Sequence, residues 1–246
     1  MKLRWPRILM YHAIATLEDD PNMLCISPER FEAQMRYLKR RKLRGVAMRE
    51  LCQAMKVGEA KGLVGLTFDD GYRDFLHTAL PVLERFGFSA TVFVVAGKLG
   101  LENDWQHNYQ RPRIELLGAK ELREVSDRGM EVGSHSMTHA ALLDLDADVL
   151  DREVNESCRR LSEILGEEVE GFCYPYGGVD RAAIRAVQRA GYNYACSWRI
   201  RLEHNVYDLP RIPVTNRERF MRFAAKLAIY PQYTGLSGDR NASWVP

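Results

Sequence analysis

The stretch LVGLTFDDGYRD, Leu63 to Asp74, decides the fold. Its opening LVGLTF lacks the polar alternation of a half-exposed strand. Such a short run reads as a strand buried on both faces, the kind found in parallel sheets. It ends on two adjacent carboxylates, Asp69 and Asp70. Neighbouring carboxylates repel when both are charged, so the doublet is either a turn or two halves of a site.

Similar runs recur along the chain: RILMYH from Arg7, SATVFVVA from Ser89, MEVGSH from Met130, GFCYPY from Gly171 and YNYACSW from Tyr192. Amphipathic helices separate them. Leu150, Val154, Cys158, Leu161 and Leu165 recur at three- and four-residue steps and predict a helix over 147–165. Gly166 then suits the left-handed position that ends it. Phe31, Met35 and Leu38 predict a second helix over 28–41, and helical stretches follow Ala119, Asp180 and Asn216. Pro81 predicts a kink or restart after the doublet. Strand–helix alternation implies a parallel sheet with right-handed crossovers. Six to eight strands suggest an α/β barrel; a doubly wound open sheet is the alternative. In either, ligands bind at the carboxyl ends of the strands. His12, Asp69, Asp70, His135, Tyr174 and Tyr176 all fall at such ends.

The 246 residues suit one domain over 1–246, with a polar tail from about residue 235. A net charge of +2 offers no field to hold nucleic acid, so none is expected as a partner. The basic run Lys39 to Lys42 reads as the solvated end of a helix. Five scattered cysteines without a CxxC pair argue for reduced thiols rather than a disulfide frame or structural zinc knuckle. The N-terminus lacks a signal-like apolar region, and no segment approaches the roughly 18 apolar residues of a membrane span. The expectation is a cytoplasmic protein; oligomeric state is not read from the sequence.

GSHSMTH places His135 and His139 four residues apart. On a helical turn that spacing would put both imidazoles on one side, able to bite one metal ion. Alone the pattern is weak, since such pairs are more often surface or capping residues. A carboxylate from another strand end completes a common three-ligand set for a catalytic divalent ion. The second carboxylate of the doublet is then available as a general base toward water. The residues do not say which aspartate does which.

TFDDG (67–71), SHSMTH (134–139) and FCYPYG (172–177) together resemble the three leading motifs of the polysaccharide deacetylases, the NodB-homology group or carbohydrate esterase family four. LMYH, SPERFEAQMRYL and LPRIPV resemble the branch that acts on poly-N-acetylglucosamine-type polymers. The likeness runs from about Ile8 to Val214. It implies a distorted (β/α) barrel, often seven-stranded, and metal-dependent removal of N-acetyl groups from an amino sugar in a carbohydrate substrate. It further implies Asp69 as base, Asp70, His135 and His139 as ligands of one divalent ion, and Tyr176 as the source of a backbone N–H for the oxyanion. Zinc is the first choice for an Asp-His-His set, with cobalt and nickel also suited.

The chain departs from that pattern twice. Many members carry an arginine in the third motif that orients the base; here Cys173 and Tyr174 stand there. The usual late motif carries a histidine as general acid; here LPRIPV offers Arg211, a poor proton donor. Arg211 is instead expected to pair with Asp69 and orient it. His12 is the expected acid, with His204 a weaker candidate and Asp69 able to serve both steps. His77 and His107 read as structural. Tyr174, Tyr176, Trp105 and Trp198 are candidates for stacking on sugar rings. The excursion from Gly100 to Arg113 is either a substrate-facing loop or a surface detour. Two other readings remain: the same metal hydrolase acting on another amide or a cyclic imide, and a degenerate barrel that only binds carbohydrate.

Overall fold

Nine parallel-paired strands make one sheet in the computed structural model, which describes residues 6–17, 20, 24–105, 113–198, 205–216 and 220–233. The strands are β1 (Arg7–Tyr11), β2 (Arg44–Val46), β3 (Leu63–Phe68), β4 (Thr91–Val94), β5 (Glu131–Ser134), β6 (Gly171–Cys173), β7 (Tyr194–Ser197), β8 (Leu209–Pro210) and β9 (Ile212–Pro213). Their order is β8-β7-β6-β5-β4-β3-β1-β9, with β2 beside the first half of β3. Only Arg211 separates β8 from β9. One end of this segment therefore pairs with β7 and the other with β1, which closes the sheet into a ring. Counted as one stave, it joins β1, β3, β4, β5, β6 and β7 in the distorted (β/α) barrel that the motif resemblance implied.

Helices fill the connections: α1 (Pro28–Arg40), α2 (Met48–Lys56), α3 (Leu80–Phe86), α4 (Ala119–Asp127), α5 (Ala147–Asp151), α6 (Ser157–Leu165), α7 (Arg181–Arg189) and α8 (Phe220–Tyr233). The six long apolar runs each contain a strand. The sequence reading missed β2, β8 and β9, which at two or three residues are too short to show a period. Pro81 sits in the first turn of α3, which restarts after a π-helical stretch, Phe75–Ala79. The helix over 147–165 is present, but a second π-helical stretch, Arg152–Glu156, interrupts it between α5 and α6. Gly166 ends it with φ 73°. One expectation is corrected: residues 135–139 form no helix, and His139 is left-handed with φ 64°. The two imidazoles meet because a loop turns, not because a helix repeats. His107, His204 and the polar tail lie outside the described residues, and no described helix is long and apolar enough to cross a membrane.

Side chains alternate between two cores. Leu9, Tyr11, Val64, Leu66, Phe68, Val92 and Val94 face the helices. Ile8, Phe93, Cys173, Tyr194 and Cys196 belong to a separate buried cluster with Met48, Leu51 and Cys52 of α2, which covers the amino-terminal end of the strands. Buried Glu131 receives the Arg49 N–H at that helix start (2.8 Å), with the Thr91 and Tyr194 hydroxyls at 2.6 and 2.8 Å. The ladder continues past the opposite ends: Asp69 N–H donates to Tyr11 O (2.9 Å), His135 N–H to Val94 O (2.8 Å) and Tyr174 N–H to Cys196 O (3.1 Å). The chemistry-bearing residues thus start from fixed points.

Gly133 is required by close approach. A Cβ there would stand 2.5 Å from Phe93 Cδ1 and 3.1 Å from Gly171 O. Gly133→Ala is expected to destabilise the protein by about 1–3 kcal/mol through overpacking. Urea unfolding should show a lower midpoint at unchanged slope.

Candidate active site

The doublet divides by its partners. Asp69 follows the inward face of β3 and meets Arg211, whose guanidinium lies inside the ring and is 1% exposed. Arg211 Nη1 donates to Asp69 Oδ1 at 2.6 Å and Nη2 to Oδ2 at 2.7 Å. The remaining N–H groups go to Thr67 Oγ1 (3.0 Å), Ser197 O (3.1 Å) and Cys173 Sγ (3.0 Å). All five guanidinium donors are engaged, and the Phe93 ring lies 5.7 Å away. Burial pushes the Asp69 carboxyl up, but the Arg211 charge and its paired hydrogen bonds outweigh this and hold it below its ordinary value.

Asp70 would face away if the strand continued. Instead Asp70 and Gly71 are both left-handed, with φ 74° and 76°, and the turn brings the second carboxylate into the same cleft. Its Oδ1 lies 3.5 Å from His135 Nε2 and 3.2 Å from His139 Nε2. The three candidate ligand atoms lie within 4.8 Å of one another and their residues are buried. Donors bound tetrahedrally to zinc at about 2.0–2.1 Å stand roughly 3.3–3.4 Å apart, so these spacings suit a single ion.

The protonation state supports the same fit. His135 Nδ1 lies 2.7 Å from Cys173 O, which can only accept, so Nδ1 carries the proton. Burial pushes His135 down to about 4, against the pull of Asp69 and Asp70. The neutral ring then turns the Nε2 lone pair toward the Asp70 carboxylate. Two acceptors facing each other across 3.5 Å repel unless a cation lies between them. His139 is held by its neighbours: the Trp105 ring stacks on it at 4.5 Å, and Tyr176 meets it edge-on at 4.7 Å.

These groups open on a cleft of about 890 Å³ that His12 also lines. Tyr176 is left-handed (φ 56°) and 52% exposed at the rim. Its carbonyl accepts from Trp198 Nε1 at 2.8 Å, and its hydroxyl donates to Trp105 O at 3.3 Å. Tyr174 lies in the floor, its ring buried and its hydroxyl donating to Tyr207 O at 2.9 Å, so it offers no exposed face for stacking. Trp105 is also buried, whereas Trp198 is half-exposed. His77 stands on the outer surface near Glu121.

Three contributors escaped the sequence reading. Thr67, two residues before Asp69 on the same face of β3, supports Arg211; period-two alternation was the available signal. The Cys173 thiol touches both members of the ion pair, at 3.0 Å from Arg211 Nη2 and 3.6 Å from Asp69 Oδ2. Glu153 holds the loop that carries His139, and nothing in the apolar periodicity of its helix marked it.

A family model described as polysaccharide deacetylase matches residues 56–195. YxkH of Bacillus subtilis, a protein named for the same activity, is 28% identical over 189 residues, covering 75% of this chain and 61% of that one. A poly-β-1,6-N-acetyl-D-glucosamine N-deacetylase of Staphylococcus aureus is 25% identical over 204 residues, covering 78% of this chain and 68% of that one. The chain therefore spans about two thirds of the length of these relatives. The fold is similar to that of the Streptococcus pyogenes deacetylase PplD, solved with acetate: TM-score 0.78, 24% identity, 92% of this chain and 98% of that one covered.

Removing one member of a buried ion pair leaves the other uncompensated, at a cost of about 3–5 kcal/mol. Arg211→Met is expected to lose that much stability, read from denaturant unfolding at neutral pH. Arg211→Met combined with Asp69→Leu, which removes both charges, should recover much of it.

Proposed function

The chain belongs to the polysaccharide deacetylase family, and from that premise we propose a metal-dependent hydrolase that removes N-acetyl groups from an N-acetylhexosamine glycan or glycan precursor. The observation that carries the metal is the buried cluster itself: Asp70 Oδ1 lies 3.5 Å from His135 Nε2 and 3.2 Å from His139 Nε2. Asp70, His135 and His139 hold the ion, with zinc first and cobalt or nickel as alternatives. When bound, such an ion supplies Lewis-acid chemistry that acidifies water and polarises the acetamide carbonyl. Support for the substrate comes from the Staphylococcus aureus relative, named for poly-β-1,6-N-acetyl-D-glucosamine. The five free cysteines fit a reducing compartment such as the cytoplasm.

Asp69 is the general base. Arg211 engages both its oxygens, keeping it ionised and fixing its direction. It takes a proton as the water oxygen bonds to the acetamide carbon. The backbone N–H of Tyr176 receives the oxyanion, and Gly177, left-handed with φ 63°, lets the backbone approach closely. As the C–N bond breaks, the nitrogen needs a proton. His12 supplies it, supported by its place in the same cleft. Water is consumed, and the products are acetate and a free amino sugar.

Acetate release from N-acetylglucosamine oligomers with added zinc, cobalt or nickel tests this reading. Asp69→Asn and His12→Ala are each expected to lower turnover about 10²–10⁴-fold while zinc remains bound. Absence of both zinc binding and acetate release in the wild type would instead support a barrel that only binds carbohydrate. Release from another amide or a cyclic imide, with none from the oligomers, would move the substrate.

The pH dependence has a definite sign. Asp69 acts ionised, so activity falls on the acid side as it gains a proton. Without Arg211, the strongest opposition to burial at Asp69 is gone, only the weaker pull of His135 and His12 remains, and the pKa rises. The acid limb of the pH–rate profile is expected to move to higher pH in Arg211→Met; an unmoved limb would mean that Arg211 does not tune the base.

A further inference from the structure

The loop between His135 and His139 has no helical hydrogen bonds to set the distance between the imidazoles. Two of its residues, Ser136 and His139, are left-handed, with φ 67° and 64°. An internal bond from His139 N–H to Ser136 Oγ (3.0 Å) shapes the turn but does not anchor it to the barrel. The loop's carbonyls are tied to the segment after β4, where the Ala96 N–H donates to Ser136 O (3.0 Å) and the Gly97 N–H to Met137 O (2.8 Å). The anchor of its N–H groups is Glu153. Its Oε2 accepts from the N–H groups of Met137 (3.0 Å) and Thr138 (2.9 Å), and its Oε1 accepts from Thr138 Oγ1 (2.7 Å). The carboxylate is 7% exposed and touches none of the candidate ligands by hydrogen bond.

Glu153 belongs to the π-helical stretch between α5 and α6. A π-bulge inserts a residue into the helical ladder and frees a backbone carbonyl, and such bulges recur at functional sites. Here the Val154 carbonyl accepts from Ser157 Oγ (2.8 Å) and the Tyr192 hydroxyl (3.3 Å). Ser157 Oγ in turn accepts from Ser134 Oγ at 2.9 Å. Ser134 is the last residue of β5, directly before His135. The helix that carries Glu153 is thereby fastened to the strand that carries the first imidazole, while Glu153 grips the loop that carries the second.

We propose that Glu153 is a positioning residue for the metal site, a bracket that sets the separation of His135 and His139. This rests on the reading that Asp70, His135 and His139 hold a divalent ion. The bracket works by shape rather than charge. Its three donors are two amides and a hydroxyl, and a glutamine in the same place can keep all three contacts, with the hydroxyl turning from donor to acceptor. The glutamine carbonyl oxygen would take both amides, and its NH₂ would donate to Thr138 Oγ1. Alanine satisfies none, and aspartate keeps the charge but falls one methylene short.

The test is the zinc affinity of the metal-free protein, measured by competition with a chromophoric chelator. Glu153→Ala is expected to bind zinc about 10–100-fold more weakly, the usual loss when an outer partner of a metal site is removed, and Glu153→Gln to stay within about threefold of wild type. Where the alanine variant does not fold, Glu153→Asp serves, again with weakened zinc expected. Wild-type affinity in the folded alanine or aspartate variant would overturn the proposal, even with a lowered melting temperature, because a merely structural residue behaves that way. Loss in the glutamine variant equal to that in alanine would overturn the bracket as well. A wild-type protein that takes up no zinc would defeat the metal reading itself, a separate and recognisable outcome.

Discussion

A guanidinium inside a barrel cannot shed its proton, so the interior must supply an anion and acceptors for all of its N–H groups. Arg211 imposes that requirement, and much of the site answers it. Asp69 gives two oxygens, Thr67 and Ser197 give one acceptor each, and Cys173 gives its sulfur. These partners come from β3, β6 and β7, and Arg211 itself stands between the two halves of the stave that closes the ring. One ion pair therefore joins barrel closure to the fixed direction of Asp69, the proposed base. It also resolves the doublet. Asp69 already has its cation, whereas Asp70 faces two imidazoles.

The cleft depends equally on broken strand geometry. Straight continuation of β3, β5 and β6 would scatter alternate residues to opposite faces. Left-handed backbone at Asp70, at Ser136 and His139, and at Tyr176 turns each loop back over the ring. Such conformations are unfavourable outside glycine and persist where the surroundings enforce them. Glu153 enforces one of these loops. Trp105, by stacking on His139 and accepting from Tyr176, links another to it. The excursion that begins at Gly100 thus braces the site from its described side.

The alternation of buried strands with amphipathic helices was legible because both carry a strong period, and the three motifs fell at strand ends as parallel topology demands. Short pieces were not legible. β8 and β9 are each a pair of residues, so the closing stave and the inward place of Arg211 could be expected only from the missing third-motif arginine. The spacing of His135 and His139 suggested a helix, and the structure replaced it with a loop, since four-residue spacing has more than one geometric source. Glu153 left no trace because an acid beside an apolar stripe looks like any solvated helix position. What turns it inward is a π-bulge, and no side-chain periodicity announces one.

The central claim is that the paired aspartates have separate employers, an arginine for one and a metal ion for the other. A crystal structure of the zinc-loaded protein, with the ion located by its anomalous scattering, tests it most directly. The account predicts one ion at about 2.0–2.2 Å from an Asp70 carboxylate oxygen, His135 Nε2 and His139 Nε2, with Asp69 still paired to Arg211. Zinc coordinated by Asp69, with the Arg211 pair broken, would contradict it.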